Sequence, residues 1–328
     1  MAALLFDNDT IFNESATHFD ELAEKIFRFQ VANNGVYGQY AHLVAAHRSG
    51  HFSLTELPFL PISFFKTHQV SSFTEEPTMV FTSSGTTGLV LSQHFVKNAD
   101  LYRQSFTRGF EFFYGRANQY AFLCLLPSYL ERSGSSLVYM ARDLIEQSGN
   151  ADSGFFLGAS GKLQQVLEKR EATGQPSILL GVTFALLDFG KDFEGKLKHT
   201  IIMETGGMKG RKKEMTRAEV HHNLIEAFGV PAIHAEYGMT ELMSQAYAQA
   251  NGLYECPPWM RVLVREEDDP FSVKTIGAGL LCIVDLANVH SCSFIETNDV
   301  GRVYADGSFE VMGRLDNADL RGCSLMVV

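Results

Sequence analysis

The stretch Phe81-Thr-Ser-Ser-Gly-Thr-Thr-Gly88 decides the predicted fold, because seven of its eight residues are glycine, serine or threonine. The apolar run Met79-Val-Phe81 predicts a strand that leads into a loop. Glycines let backbone N–H groups turn toward a bound anion, and the hydroxyl side chains add further donors. We therefore interpret the loop as a phosphate grip, with a solvated turn as the alternative. The candidate phosphate-binding residues are Thr82, Ser83, Ser84, Gly85, Thr86, Thr87 and Gly88.

Length, composition and charge limit the partners that the chain can have. Its 328 residues, 45% apolar and 20% charged, are typical of a globular protein with more than one subdomain. A net charge of -11 repels nucleic-acid phosphates, so we expect no nucleic-acid partner. No window approaches the ~18 apolar residues of a membrane span, and the N-terminus lacks the basic segment of a signal peptide. Five cysteines without a CxxC pair indicate a reducing compartment, so we expect a cytoplasmic protein.

Strand and helix patterns alternate through the first two thirds of the chain. A strand followed by a polar turn and a helix is the βα unit, which places functional residues at the carboxyl ends of strands. Repetition of this unit predicts an α/β fold, and we assign residues 1–256 to an α/β core with two subdomains. The predicted buried strands cover residues 120–126, 177–182, 199–203 and 231–236.

The last third of the chain has a different character. Short strands follow one another from about Pro257 without intervening helices, and a hairpin is predicted about the Asp306-Gly307 turn. We therefore predict a smaller β-rich subdomain over residues 257–312 and a C-terminal tail over 313–328. Near the other end, the proline-broken apolar stretch at 57–66 is interpreted as a linker without chemistry.

The predicted strand at 199–203 opens into Glu204-Thr-Gly-Gly-Met-Lys-Gly210. The pair Gly206 and Gly207 permits a flat ligand to lie close against the backbone. A plain strand-to-helix turn is the alternative. Thr216 and Glu219 have the spacing of a capping box, which predicts that the next helix starts there.

The predicted strand at 231–236 ends in Tyr237-Gly-Met-Thr-Glu241. This run resembles a signature of adenylate-forming enzymes, the superfamily of acyl-CoA synthetases, luciferases and peptide-synthetase adenylation domains. An aromatic ring suits a purine, and a hard carboxylate oxygen suits magnesium. A helix start with a capping threonine is the alternative. The resemblance implies ATP contacts by Tyr237, Gly238, Met239 and Thr240, with Thr240 on the phosphate and Glu241 holding Mg2+.

Two further segments, 297–302 and 313–316, flank the predicted hairpin. They resemble the ribose-binding and hinge motifs of the same superfamily, which implies that Asp299 accepts the ribose hydroxyls and that Arg314 lies near the phosphate. The alternative is that Asp299 and Asp316 are turn residues. The motifs span residues 81 to 316, so the resemblance implies an α/β fold like the N-terminal domain of adenylate-forming enzymes.

Ordinary members of the superfamily continue into a mobile C-terminal domain with a catalytic lysine, which we expect this chain to lack. Its last residues instead include Cys323, on a short tail beyond Gly322. Together with the segments 127–136 and 204–211, this arrangement resembles the acyl-protein synthetase family of bacterial bioluminescence. The resemblance implies that ATP activates a long-chain fatty acid and that Cys323 then takes the acyl group as a thioester. A free cysteine in a frayed tail is the alternative.

The sequence leaves three functional hypotheses. The first is the acyl-protein synthetase, with Cys323, Thr240 and Glu241 as catalytic residues, ATP and Mg2+ as cofactors, and an acyl reductase or another acceptor protein as partner. Lys209, Arg211 or a partner residue would then replace the missing lysine. The second is an acyl-CoA or aryl-CoA synthetase core that works with a separate C-terminal-domain chain. The third is a non-catalytic subunit that binds nucleotide or acyl groups. A homo-oligomer is an alternative to a complex with a partner protein.

Overall fold

A computed structural model describes residues 6, 9–44, 53–84, 90–126, 134–206, 215–269 and 271–315. The chain forms two compact units. Unit 1 comprises Met1–Pro77, His94–Lys97 and Pro258–Val328, and unit 2 comprises Thr78–Gln93 and Asn98–Pro257. Among the helices of these described ranges, none combines the length and the apolar character needed to cross a membrane.

Helices and strands alternate in unit 2, whereas strands dominate the end of the chain. The α-helices are α1 (Ser15–Asn33), α2 (Gly35–Val44), α3 (Phe64–Thr67), α4 (Ala99–Tyr114), α5 (Ser136–Ser148), α6 (Ser160–Thr173), α7 (Thr183–Asp192) and α8 (Arg217–Phe228). A π-helical segment covers Thr10–Glu14, and 3-10 turns cover Leu54–Glu56, Ala117–Gln119 and Leu286–Asn288. The strands are β1 (Leu60–Pro61), β2 (Met79–Thr82), β3 (Gln93–Val96), β4 (Ala121–Leu125), β5 (Gly154–Phe155), β6 (Ser177–Val182), β7 (Thr200–Thr205), β8 (His234–Tyr237), β9 (Ala246–Ala248), β10 (Met260–Arg265), β11 (Val273–Lys274), β12 (Gly277–Asp285), β13 (Phe294–Val303) and β14 (Phe309–Arg314).

Unit 2 is built on a six-stranded sheet with the order β5-β4-β6-β7-β8-β9. The first five strands are parallel, and β9 runs antiparallel to β8. On one face Leu179 of β6 lies in a core with Leu186 of α7 and Leu224 of α8. On the other face the ring centroid of Phe122 in β4 lies 5.3 Å from that of Phe110 in α4. Helices therefore cover both faces, and the predicted α/β architecture is confirmed.

The start and end of helix α8 follow from single residues. Glu219 accepts the backbone N–H of Thr216 at 2.7 Å, and its own N–H donates to the Thr216 hydroxyl at 3.3 Å. Gly229 ends the helix in the left-handed conformation, with φ of +66°. The capping box predicted from the sequence is thus confirmed. The strand predicted at 231–236 begins later, at His234, because Pro231 has no N–H for a strand ladder.

Unit 1 contains the second six-stranded sheet, ordered β1-β13-β12-β10-β11 with β14 also paired to β13. The hairpin of β13 and β14 turns where the sequence predicts, with Gly307 at φ of +84° and Tyr304 N–H donating to Ser308 O at 2.8 Å. Strand β1 pairs in parallel with β13. The interpretation of residues 57–66 as a linker was therefore wrong, because this apolar stretch supplies an edge strand and helix α3.

The N-terminal helices belong to the same unit as the C-terminal strands. The Gln30 side-chain amide in α1 donates to the backbone oxygens of Asn288 at 3.1 Å and Val289 at 2.9 Å. The ring of Phe294 in β13 stacks on Tyr37 of α2 at 6.0 Å between centroids. These contacts bury α1 and α2 against the sheet, and they account for the buried apolar positions Phe19, Ile26 and Phe27 along one side of α1.

Candidate functional site

Two of the predicted ATP-binding segments meet at one edge of the unit 2 sheet. Strands β7 and β8 are parallel neighbours in which Thr205 is paired with Glu236. Gly206 and Tyr237, the next residues along, therefore lie side by side where the two strands end. We call this the carboxyl edge, the edge at which β4, β6, β7 and β8 end. Open α/β sheets bind ligands at such an edge.

Gly206 has a conformation and surroundings that suit close approach of a ligand. Its φ is +73°, and among the described residues other than its chain neighbour no heavy atom lies within 4 Å of the point where a Cβ would stand. Its carbonyl oxygen accepts the Thr183 hydroxyl at 3.2 Å. Gly207, the second glycine of the pair, lies outside the described residues, as do Lys209 and Arg211.

Tyr237 is the last residue of β8, and only 8% of its surface is exposed. Its ring centroid lies 5.7 Å from that of Tyr254, with the two planes at 59°. At Gly238 a Cβ would come within 2.5 Å of Glu236 Oε1 and 3.2 Å of Gln245 Cγ. A larger residue at position 238 would therefore require the Glu236 side chain or the turn to shift.

The rest of this predicted motif forms the turn after β8. The backbone N–H of Leu242 donates to Met239 O at 3.1 Å, which closes the turn. Thr240 is half-buried within it, and Glu241 is buried. A carboxylate at this depth requires polar or charged partners, and the carboxylate chemistry of Glu241 fits a magnesium ion. Across the described ranges, no group of three or more His, Cys, Asp and Glu side chains is placed to hold a metal.

The serine- and threonine-rich stretch starts as the sequence predicts. Phe81 in β2 packs its ring 5.0 Å from that of Tyr102. The Thr82 N–H donates to Gly134 O at 2.8 Å, which joins the end of β2 to the segment that precedes α5. Ser83 donates its N–H to Ser92 O at 3.1 Å, and its hydroxyl oxygen accepts the Ser92 N–H at 2.9 Å. Ser84 is exposed, and Gly85, Thr86, Thr87 and Gly88 lie outside the described residues.

Asp299 and Arg314 lie in unit 1 and face each other across the hairpin. They are paired residues of β13 and β14, with Arg314 Nε 3.6 Å from Asp299 Oδ1. Asp299 is buried, and its N–H donates to the Thr297 hydroxyl at 3.1 Å. The sequence assigned these two side chains separate roles, and the structure shows that they form an ion pair.

A buried carboxylate that the sequence analysis did not single out lies beside Gly206. Glu204 in β7 is only 4% exposed. Its Oε2 accepts the Thr183 hydroxyl at 2.9 Å, and its Oε1 lies 3.0 Å from His221 Nε2. An acidic residue near the end of an apolar strand, two positions before a glycine pair, is a signal that could have identified it, because a buried carboxylate needs dedicated partners.

Arg217 extends this group of contacts toward Tyr237. Its NH1 lies 4.0 Å from Glu204 Oε1 and donates to the Tyr254 hydroxyl. Its guanidinium carbon lies 5.0 Å from the Tyr254 ring centroid, in the range of a cation–π contact. Burial raises the pKa of the Tyr254 hydroxyl to about 12, although the Arg217 charge opposes the shift. The phenol thus stays neutral and donates or accepts hydrogen bonds.

A second buried carboxyl group, Glu236, lies under the turn at Gly238. It accepts the Thr205 hydroxyl through Oε2, and it is 5% exposed. Burial raises its pKa to about 7, and the hydrogen bond from Thr205 opposes that shift. The neighbouring side-chain oxygens Gln245 Oε1 and Tyr247 OH have no hydrogen-bond partner within the described part of the chain.

The described cysteines differ from the predicted acyl-carrying thiol. Burial raises the pKa of the Cys124 and Cys292 thiols to about 12, and Cys282 is also buried with its pKa raised. Such thiols are poor nucleophiles, because the thiolate is the reactive form. Cys256 is half-buried. Cys323 lies outside the described residues.

Comparison with known proteins gives structural likeness only. No protein-family model and no curated protein matches the sequence. The fold is similar to 2-hydroxyisobutyryl-CoA ligase in complex with 2-HIB-AMP and CoA. In the open conformation the TM-score is 0.65 with 12% identity over 91% of this chain and 74% of that chain. In the thioesterification state the TM-score is 0.68 with 14% identity, and the match covers 93% of this chain and 69% of that chain.

A long-chain-fatty-acid-CoA ligase from Archaeoglobus fulgidus is similar over a smaller part, with a TM-score of 0.51 and 14% identity. That match covers 74% of this chain and 52% of the ligase. At these identities the likeness shows the fold. The prediction of an α/β fold like that of the N-terminal domain of adenylate-forming enzymes is confirmed.

Proposed function

Since the chain has the fold of adenylate-forming enzymes, we propose that it activates a carboxylic acid with ATP. A carboxylate oxygen attacks the α-phosphorus, pyrophosphate leaves, and an acyl-adenylate remains. The observation that carries this proposal is the meeting of Gly206 and the run from Tyr237 to Glu241 at one carboxyl edge. The sequence resemblance assigns the run from Tyr237 to Glu241 to ATP, and the glycine pair at 206–207 permits a flat ligand to lie close against the backbone. Open α/β sheets bind ligands outside the carboxyl ends of their strands.

Each residue of the carboxyl edge has a proposed role. The open backbone at Gly206 accepts the flat purine, and Tyr237 supplies an aromatic surface beside it. Thr240 donates to a phosphate. Mg2+ held by Glu241 would neutralise charge that develops on the leaving pyrophosphate. Ser83 and its neighbours grip the phosphates, while the assignments of Asp299 to the ribose and Arg314 to the phosphate stay predictions.

We further propose the acid and the acceptor that the sequence resemblance implies. The acid is a long-chain fatty acid, and the Cys323 thiolate attacks the acyl carbon of the adenylate to form a thioester and release AMP. The acyl group then passes to a partner acyl reductase or another acceptor. The likeness to CoA ligases favours a second candidate, in which CoA replaces Cys323 as the acceptor.

ATP–pyrophosphate exchange across a panel of carboxylic acids tests the activation step. We expect exchange to depend on the acid and to be strongest with long-chain fatty acids. Exchange with none of the acids would contradict activation and would favour a nucleotide-binding subunit. Intact-mass measurement then tests the acceptor, with acyl mass expected on the wild type and absent from Cys323→Ser. A Cys323→Ser variant that still forms a thioester with added CoA would favour the second candidate.

A further inference from the structure

A continuous path of side-chain contacts leads from helix α8 to both candidate ATP-binding segments of the carboxyl edge. We propose that Arg217 and Glu204 are positioning residues that fix the Tyr237 ring and the Gly206 carbonyl in the geometry that binds ATP. The inference rests on the proposed function, because it concerns the same site. It assigns the two residues no contact with the nucleotide.

The first branch of the path runs from Arg217 to Tyr237. The guanidinium group both donates to the Tyr254 hydroxyl and lies over the Tyr254 ring, so it fixes that phenol in position and in orientation. Tyr254 is buried and packs its ring 5.7 Å from the Tyr237 ring. A change in the orientation of Tyr254 therefore moves the surface against which Tyr237 rests.

The second branch runs from Glu204 to Gly206. The Thr183 hydroxyl has one hydrogen, and its oxygen lies 2.9 Å from Glu204 Oε2 and 3.2 Å from Gly206 O. The single hydrogen is shared between the two oxygens, and this bifurcated hydrogen bond links the Glu204 carboxylate to the Gly206 carbonyl. Gly206 has positive φ, and the described residues leave open space on its Cβ side, so the contact with Thr183 is what fixes its carbonyl in this proposal.

The two branches meet because helix α8 presents two side chains to one carboxylate. Arg217 and His221 are one helical turn apart and lie on the same face of α8. Both approach Glu204 Oε1, Arg217 at 4.0 Å and His221 at 3.0 Å. Glu204 is therefore the point at which the position of α8 is transmitted to the strand ends.

Arg217 is the best residue to change, since 29% of its side chain is exposed and Glu204 keeps its contacts with Thr183 and His221 when Arg217 is replaced. In Arg217→Gln we expect the ATP dissociation constant to rise about tenfold, because loss of a charged hydrogen bond releases the Tyr254 ring against which Tyr237 rests. Arg217→Lys should show an intermediate loss, since it keeps the charge but not the planar group.

The matched control is Asp152→Asn, which weakens the buried pair between Asp152 and Arg170 at the opposite edge of the same sheet. Isothermal titration with ATP and MgCl2 gives the dissociation constants, and scanning calorimetry gives the unfolding temperature of each variant. We expect Asp152→Asn to lower the unfolding temperature while ATP binds within about twofold of the wild type. Unchanged ATP binding in Arg217→Gln, or an equal weakening in Asp152→Asn, overturns the proposal.

Crystal structures of the wild type and Arg217→Gln separate this proposal from the proposed function. If the wild type binds no ATP, the proposed function fails, and the positioning claim is judged on the structures alone. We expect a rotated Tyr237 ring and a shifted Gly206 carbonyl in the variant. Unchanged positions of both groups contradict the claim. If Arg217→Gln does not fold, Arg217→Lys takes its place in the same comparison.

Discussion

A charged side chain is buried at each of the two edges of the unit 2 sheet, but the two side chains contact different kinds of residues. The amino edge is the edge at which β4, β6 and β7 begin. There Arg170, only 2% exposed, donates to the Ser177 hydroxyl at 2.6 Å and lies 3.2 Å from an Asp152 oxygen. At the carboxyl edge Glu204 is buried to a similar degree, and its partners lead to Gly206 and Tyr237.

The difference teaches that a buried charge does not by itself indicate a functional site. Arg170 donates also to Pro176 O at 2.7 Å, so its contacts join α6 to the start of β6 and to the Asp152 segment before β5. Its contacts thus hold helix α6 to the sheet. The contacts of Glu204 reach a glycine with open space beside it and an aromatic ring. Structural ion pairs and functional ones are thus distinguished by what they restrain.

The largest effect is expected from a methyl group at the carboxyl edge, in Gly238→Ala. The new Cβ would lie 2.5 Å from Glu236 Oε1, and Glu236 cannot move aside because it is buried and bonded to Thr205. The turn that carries Thr240 and Glu241 must therefore shift. We expect acid-dependent ATP–pyrophosphate exchange to fall at least ~100-fold, since such sites tolerate little displacement. Exchange within a few-fold of the wild type would show that this turn is not part of the site.

At the amino edge the expected effect is on stability alone. Asp152→Ala removes the carboxylate partner of the buried Arg170 guanidinium, which keeps its hydrogen bonds to Ser177 and Pro176, so we expect a loss of roughly 1–3 kcal/mol. Urea denaturation measures this loss. Exchange activity per folded molecule should match the wild type at low temperature. A selective loss of activity at full stability would remove the distinction between the two edges.

The sequence predicts unit 2 well, because its signals are local. The apolar run at 177–182 is β6, and Thr216 and Glu219 cap α8 as their spacing indicates. The structure of unit 1 is harder to predict from the sequence. The Gln30 side chain bonds to Asn288, which is 258 positions away, and no local pattern encodes such a pairing.

The candidate site shows the same limit. The run from Tyr237 to Glu241 is contiguous, so a motif identifies it. The contact of Arg217 with Tyr254 joins residues 37 positions apart, and only the fold brings them together. The pairing of Asp299 with Arg314 is partly predictable from the sequence. The predicted turn at Asp306-Gly307 already implies that residues equally far from it face each other.

A smaller effect is expected from Glu236→Gln at the carboxyl edge. The stability of the wild type should depend on pH through Glu236, and the substitution should remove that dependence. The folded-state pKa of Glu236 is raised to about 7 by burial, above its ordinary value of 4.5. The stability held by the neutral carboxyl is fully present below pH 4.5 and is lost as the pH rises through 7. We expect the wild type to lose up to about 3 kcal/mol over this window relative to the variant, in which the amide stays neutral.

Chemical denaturation of both proteins at pH 5 and pH 8 measures this difference. Glutamine retains a side-chain oxygen that can accept the Thr205 hydroxyl, so the comparison isolates the charge. Stability curves that stay parallel over this range would contradict a raised pKa. Asp152 at the amino edge is the opposite case, because hydrogen bonds from Lys169 and Arg170 lower its pKa.

The smallest effect is expected from Thr216→Ala, which removes the cap of α8. The loss of a capping hydroxyl costs about 1 kcal/mol and lowers the unfolding temperature by about 2–4 °C. Arg217 is the first residue of α8, so fraying of this turn also loosens its contact with Tyr254. We therefore expect ATP binding to weaken a few-fold, whereas Thr216→Ser, which keeps the hydroxyl, should bind normally. Calorimetry and ATP titration on both variants test this prediction. A loss of stability without any change in ATP binding would show that the Thr216 cap, like the contacts of the amino edge, stabilises the fold without affecting the ATP site.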